Sequence, residues 1–453
     1  MLNFVYKFLK ISSLKKILKK KLNDQKKLES LHIRALIHFI RFIFFSSYRS
    51  NRCLIDPPSI FFYKYRKLAN YFSIPLLIFA RYLKKKKCFI SVHNNCNSSI
   101  GHIFGEIDQL QRMQKIDEKY LDSTIWFTTS RKEILGDTKD IFENKNFRIL
   151  FGGIKRIFLT FVAIKYPSIS IDASLSADNY VFSNKELSNT NRVVIHDKPK
   201  KRAMMTIKSP EFYPNKDKLI NYREVKYELM QRLNIIKKYV VIQIKTEKVN
   251  GTLKPLSVDL FLKSIKYFQD KDYQIVLAGR EACPKIFLDN KVIDYANSKC
   301  ASPLNDFLLI GHSSLVISSA SGFCFLPESL EKPLLVINAH HIKQHSGRRT
   351  IYLPTLLSRR SEEFNASIQQ EYLCTYGADC GYDTFDDLYI LHIPTSEEIF
   401  MAVKELEGML SDQIPLLTSL QKKIRESRGH HLLSDGLSRI SDYYLSKHIN
   451  FFK

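Results

Sequence analysis

Leu315–Asn338 reads LVISSASGFCFLPESLEKPLLVIN, and the reading of this stretch decides the fold. Leu315–Ile317 and Leu334–Ile337 are short runs rich in aliphatic residues, bounded by Ser, Pro and Asn. That is the composition of strands buried on both faces of a parallel sheet. Between them, Ser318-Ser319-Ala320-Ser321-Gly322 leads into a helix predicted over Phe323–Leu330. Small residues ahead of a helix let a backbone approach closely and offer free N–H groups, which together can hold a phosphate. The same residues also fit a helix simply capped by Ser321, and the fragment taken alone favours the cap.

The strand, loop and helix order recurs on both sides of this stretch. Upstream, Tyr239–Ile244 predicts a strand, Val258–Asp270 a helix, Tyr273–Ala278 a strand, Lys291–Asp294 a strand and Leu304–Ile310 a short helix. Earlier still, Cys88–Val92 predicts a strand, Ile103–Lys115 a helix, Ser123–Thr128 a strand, Arg131–Asn144 a helix and Phe147–Phe151 a strand. Ser168–Ala173 and Arg192–Ile195 are further candidate strands. Alternation of this kind implies α/β structure, with two Rossmann-like units whose parallel sheets are covered by helices on both faces. Residues beyond His340 read as loop-rich until a helix at Ser396–Leu410. A helical tail then runs from Pro415, able to reach back over the first unit. The expected divisions are 1–87, 88–232, 233–410 and 411–453.

Residues 1–87 stand apart. The whole chain of 453 residues is 45% apolar and 25% charged, which suits two or three packed domains and excludes a disordered chain. Its formal net charge is +25, yet residues 1–87 hold 21 Lys and Arg against 3 Asp and Glu. Lys and bulky apolar residues interleave there, as a basic helical extension lying on an anionic membrane would require. A Lys-rich cap over the protein's own core is the second reading and a nucleic-acid patch the weakest, because apolar residues exceed what a phosphate-tracking arm needs. The longest uncharged run within residues 1–87, Leu68–Ala80, is 13 residues, short of the roughly 20 that cross a bilayer. No secretory cleavage pattern follows the first apolar run. The eight cysteines form no C-x-x-C pair and read as free thiols in a reducing, cytoplasmic setting.

In open parallel sheets ligands lie beyond the carboxyl ends of the strands, and the loops there hold the candidate chemistry. In the first unit these are His93, Asn94, Asn95, Gly101, His102, Glu106 and Asp108. In the second they are Lys245, Gly279, Arg280, Ser319, Ser321, Gly322 and Glu328. His102 and Glu106 are one helical turn apart. Asp270-Lys271-Asp272 is the sole Asp-x-Asp, and it falls at a helix-to-strand turn at the wrong end of the sheet for a metal-bound diphosphate.

Ser99–Met113 (SIGHIFGEIDQLQRM), Tyr239–Gly279, Val292–Ser298 (VIDYANS), the opening stretch and the ending SRISDYYLSKHINFF form an ordered set. Over roughly residues 90–453 this set resembles a family of bacterial glycosyltransferases associated with surface-polysaccharide synthesis. The resemblance implies a GT-B architecture, two Rossmann-like domains facing a cleft, with the acceptor mostly on the first and a nucleotide-sugar mostly on the second. Such a cleft needs a base for the acceptor hydroxyl, and Glu106 is the first candidate with His102 and Asp108 as rivals, all three at the family's motif positions, while Asn94, Asn95 and Gly101 are acceptor-side loop residues. The resemblance further implies that Lys245, Arg280 and the N–H groups around Ser319, Ser321 and Gly322 hold the diphosphate. Glu328 is either a ribose ligand or a surface carboxylate. No metal and no cofactor beyond the nucleotide-sugar substrate is required by this scheme, and the expected location is the inner face of the cytoplasmic membrane. The chain departs from the pattern at Lys245, where an Arg is expected, and the loop EKVNGTLKPLS lacks an Arg-Asn pair. Lys neutralises a diphosphate as a point charge but cannot grip it bidentately. Transfer of another group, such as pyruvyl, and a non-catalytic membrane-surface protein with a degenerate cleft are the competing readings.

Overall fold

The computed structural model describes residues 73–92, 100–116, 120–129, 138–151, 158–159, 162–163, 166–172, 193–194, 222–245, 256–279, 281, 283–339, 347–359, 389–411, 413–426 and 437–452. Within these residues the chain builds two parallel sheets. The first comprises β1 (Cys88–Val92), β2 (Thr124–Thr129), β3 (Phe147–Phe151), β4 (Ser170–Asp172) and β5 (Val193–Val194), in the spatial order β3-β2-β1-β4-β5. All of its pairings are parallel. Helix α1 (Ser73–Lys85) precedes β1, α2 (Ile100–Ile116) follows it, and α3 (Lys139–Phe142) precedes β3. The helix predicted over Arg131–Asn144 is thus shorter among the described residues.

The second sheet contains β6 (Tyr239–Gln243), β7 (Gln274–Leu277), β8 (Ile293–Asp294), β9 (Leu315–Ser319), β10 (Leu334–Ala339), β11 (Thr350–Pro354) and β14 (Arg439–Ile440). Its order is β14-β11-β10-β9-β6-β7-β8, again parallel throughout. A chain that winds outward one way from β6 and then the other way from β9 has its switch point between those two strands. Every residue of β6 and β9 is buried, as their aliphatic composition requires of strands covered on both faces. The covering helices are α4 (Arg223–Arg232), α5 (Leu262–Asp270), α6 (Lys285–Asp289), α7 (Pro303–His312), α8 (Phe325–Ser329) and α9 (Ser396–Glu407).

Local signals explain where several of these begin. Ser302 caps α7, its hydroxyl accepting from Asn305 N–H at 3.2 Å, with Pro303 in the first turn where no N–H is needed. Thr395 and Glu398 form a reciprocal capping box at the start of α9. Val258–Phe261 is a 3-10 turn rather than part of α5, and Gly322–Cys324 is a 3-10 turn ahead of α8. α4 packs against α7, a covering helix of the second sheet, although its residues come before the expected division at 232/233.

The stretch after His340 is not the loop region expected. Thr350–Pro354 is a fully buried strand, and β12 (Leu356–Arg359) pairs antiparallel with β13 (Tyr389–His392). The tail also differs from expectation. Its helices α10 (Ser419–Glu426) and α11 (Asp442–Lys447) flank β14, which adds to the edge of the second sheet at β11. α11 packs on α9 and the Tyr444 hydroxyl donates to Pro354 O at 2.6 Å, so these residues lie over the second unit rather than the first.

α1 is part of the first unit's core. Ala80 and Leu83 bury against Cys88, Ile90, Leu159, Val162, Ala163 and Ile169. The two units share one continuous apolar cluster, in which Phe104 of α2 and Phe142 of α3 meet Phe307 of α7 at centroid distances of 6.4 and 5.8 Å. Among the described residues, Cys88, Cys283, Cys300 and Cys324 are free thiols, and no helix is long and apolar enough to cross a membrane.

Candidate functional site

At the switch point of the second sheet, the ends of β6 and β9 are joined by one side chain that the sequence reading passed over. Gln243, the last residue of β6, is buried and accepts through Oε1 from the Ser318 hydroxyl at 2.7 Å and from the Ser321 hydroxyl at 3.2 Å. Its amide donates to Ile244 O at 3.3 Å. Ser318 in turn accepts from the Cys324 thiol at 3.3 Å. Gly279, just past β7, has φ +112, a conformation that favours glycine, and a Cβ there would stand 3.2 Å from Gln243 Cγ, a tight contact.

Of the residues expected to hold a diphosphate, Lys245, Ser319, Ser321 and Gly322 are among those described. Lys245 follows β6 by two residues. Its N–H donates to Ser319 Oγ at 3.0 Å and its C=O accepts from Leu256 N–H at 2.7 Å, which closes the base of the following loop. Ser319 is fully buried, so it acts on this site by fixing the Lys245 backbone. Ser321 caps the Gly322–Cys324 turn, accepting from Phe323 N–H at 3.3 Å while donating to Gln243. Capping and presentation of the loop are therefore one device. Ser321, Gly322 and Phe323 remain partly exposed. Arg280, His93, Asn94 and Asn95 lie outside the described residues.

On the first unit, positions 101, 102, 106 and 108 all fall on α2. Gly101 lies in its first turn, and positions 102 and 106 are one turn apart. α2 packs against the Gly322–Cys324 turn and against α8, so the helix bearing Glu106 abuts the loop bearing Ser321. Glu106 is 3% exposed.

Asp108 and Glu328 are both buried. Asp108 faces Arg112 one turn along α2, with Arg112 Nε 3.0 Å from each carboxylate oxygen. Burial pushes the Asp108 carboxyl up to about 6; Arg112 opposes that rise, and Glu328 and Glu331 add to it. Arg112 extends to the second unit, its Nη1 4.0 Å from Glu331 Oε1, and Arg348 Nη2 reaches the other Glu331 oxygen at 2.6 Å. Glu328 is buried in the same cluster. A Cβ on Gly347 would lie 3.0 Å from its Cγ. Glu328 is thus a buried carboxylate rather than a surface one, and it lies beside Arg112, Glu331 and Gly347 between α2 and the second unit. A buried charge of this kind persists only where it is paired.

Among the described residues no group of three or more His, Cys, Asp or Glu side chains is placed to hold a metal ion. Asp270 pairs with Lys266 and Asp272 with Lys237, at the helix-to-strand turn foreseen for them.

No protein-family model matches the chain, and no curated protein matches it. Solved structures do align. A glycosyl transferase family 9 protein from Veillonella parvula aligns at 12% identity over 71% of this chain and 97% of its own, with a TM-score of 0.41. ADP-heptose lps heptosyltransferase II of E. coli aligns at 10% identity over 71% and 98%, with a TM-score of 0.38. The iron-containing dodecameric glycosyltransferase TibC of enterotoxigenic E. coli aligns at 11% identity over 72% and 77%, with a TM-score of 0.39. At such scores the likeness carries no argument about activity, and the reading below stands on the residues.

Proposed function

We propose that the protein is a glycosyltransferase of GT-B type, moving a sugar from a nucleotide-sugar to a cell-surface polysaccharide or lipid-linked glycan at the inner face of the cytoplasmic membrane. One observation carries the reading: the switch point of the second sheet, with Lys245 and Ser321, abuts α2 of the first unit, which carries Glu106. Switch points are where doubly wound sheets bind nucleotides. The ordered resemblance in the sequence points to the same class.

In this scheme the acceptor hydroxyl oxygen bonds to the anomeric carbon as the bond from that carbon to the diphosphate oxygen breaks. Glu106 takes the hydroxyl proton, and the departing diphosphate collects the negative charge. Lys245 neutralises part of that charge, and the backbone N–H groups of Ser321 and Gly322, in the loop fixed by Gln243, supply donors that need no rearrangement. Preorganisation is the contribution of Gln243, Ser318 and Ser319, which hold the loop without touching the donor.

Thermal unfolding of the full chain with ADP, UDP, GDP and CDP tests the reading. A nucleotide at about a hundred times its Kd stabilises by about 2.7 kcal/mol. A shift with one of the four, followed by release of that nucleotide from its sugar conjugate, supports transfer. Silence with all four overturns it.

A further inference from the structure

We infer that the outer face of α1, together with Phe158, is a docking surface for an anionic lipid bilayer. This surface is independent of the donor chemistry above and deepens the membrane side of that reading by naming the residues that make contact.

α1 has two faces with opposite fates. Ala80 and Leu83 lock the helix onto β1 and the segments around Leu159 and Val162. Ile78 and Tyr82, one turn apart on the other side, are 64% and 54% exposed. Phe158 is 37% exposed, and Phe79 bridges the patch, its ring 5.2 Å from Phe158 and 6.3 Å from Tyr82. A rigidly held helix thus presents apolar and aromatic groups outward, where a soluble face would be polar.

The charge around this patch selects its partner. Arg81 and Lys84, Lys85, Lys86 and Lys87 are all exposed beside it, and no acidic residue occurs from Ser73 to Cys88. Cations flanking an aliphatic and aromatic ridge match the headgroup layer of an anionic membrane: the rings and Ile78 enter the acyl boundary while the ammonium groups stay among phosphates. Nucleic acid would use the cations but has no partner for an exposed Ile78. The residues ahead of α1 continue the same composition, since residues 1–87 hold 21 Lys and Arg against 3 Asp and Glu. α1 is 13 residues long, so the contact is lateral rather than spanning.

Co-sedimentation of the full chain with vesicles tests the assignment. The expected result is binding to phosphatidylcholine vesicles that contain phosphatidylglycerol, little binding to phosphatidylcholine alone, and release at high salt. Ile78→Ser with Tyr82→Ser should weaken partition roughly tenfold. Because both side chains are exposed, the thermal unfolding midpoint should hold. Lys84→Gln through Lys87→Gln should reduce binding at low salt. The proposal is overturned if the wild-type chain ignores anionic vesicles, or if the Ile78/Tyr82 variant binds as wild type, which would put the contact elsewhere. It is equally overturned if single-stranded RNA displaces the vesicles and binds both proteins alike. Nucleotide-induced thermal shifts measured on the same variants separate this outcome from failure of the transferase reading, because the two surfaces share no residue.

Discussion

The backbone N–H of Lys245 donates to the Ser319 hydroxyl across 3.0 Å, joining the ends of two strands whose sequences lie 74 residues apart. Through that bond and the pair of hydroxyls held by Gln243, the candidate anion site is a property of the sheet rather than of a loose loop. Its energetics are open to direct measurement.

Gln243→Leu keeps the size of the side chain but removes the acceptor of two hydroxyl donors, one of them fully buried. The Ser318 hydroxyl keeps its 2.9 Å bond to Ser319 O, so the change removes the two hydrogen bonds to Gln243, each worth about 0.5–1.5 kcal/mol. Denaturant unfolding should show that loss, and nucleotide-induced stabilisation should shrink with it. Gln243→Glu, which retains carboxylate acceptors, should recover more of the nucleotide response than Gln243→Leu.

Gly279→Ala places a side chain at φ +112 and against Gln243 Cγ. A residue forced into such a conformation costs about 1–3 kcal/mol. The midpoint of chemical unfolding should fall accordingly with an unchanged slope; an unchanged midpoint would mean that the backbone relaxes freely there.

Arg112→Met strands the buried Asp108 carboxyl and cuts the link to Glu331. Breaking a buried pair from one side costs about 3–5 kcal/mol, whereas removing both partners costs far less. The double variant Arg112→Met with Asp108→Leu should therefore be more stable than Arg112→Met alone, and a double-mutant cycle measures the coupling.

Glu398 offers a pH test away from the site. Burial acts to raise its carboxyl, but hydrogen bonds from His448 and from Thr395 outweigh burial and hold it below its ordinary value. A depressed folded value means that the stabilisation is complete above the unfolded carboxylate value of about 4.3 and is lost as pH falls through the folded one. Thermal unfolding of Glu398→Gln should be less pH-dependent in that acid window than wild type. Parallel curves would refute the assignment.

Glu106→Gln should lower turnover by about 10²- to 10⁴-fold while leaving the nucleotide thermal shift intact. Substitution of Ser321 or Lys245 should instead weaken the shift. Equal losses in nucleotide binding from all of them would abolish the division of roles proposed here.

Both doubly wound sheets were legible because their strands are continuous apolar runs and their helices carry local start signals, as at Ser302 and Thr395. β11 was not. Thr350–Pro354 is five buried residues that follow Arg349 and end in a proline, too short to show a period and bounded like a loop. β14 is two residues long and exists only through its partner β11. Lys245 and Ser321 were found from their position after strands, whereas Gln243 was missed although its signal was present: a polar residue in an otherwise apolar strand must find hydrogen-bond partners once buried. Arg112 lay inside a segment already singled out. Its pairing with Asp108 one turn away is a local pattern, whereas its approach to Glu331, more than two hundred positions away, is one that no local pattern reports.

The edge position of β14 has a consequence for how the protein is made. On a ribosome β11 emerges well before residues 439–440, so its outer hydrogen-bonding edge stays bare during synthesis of the intervening segment. An unpaired strand edge invites pairing with another chain. Translation arrest or proteolysis between β11 and β14 should therefore yield fragments that aggregate through the second sheet, whereas cuts within residues 1–72 should not.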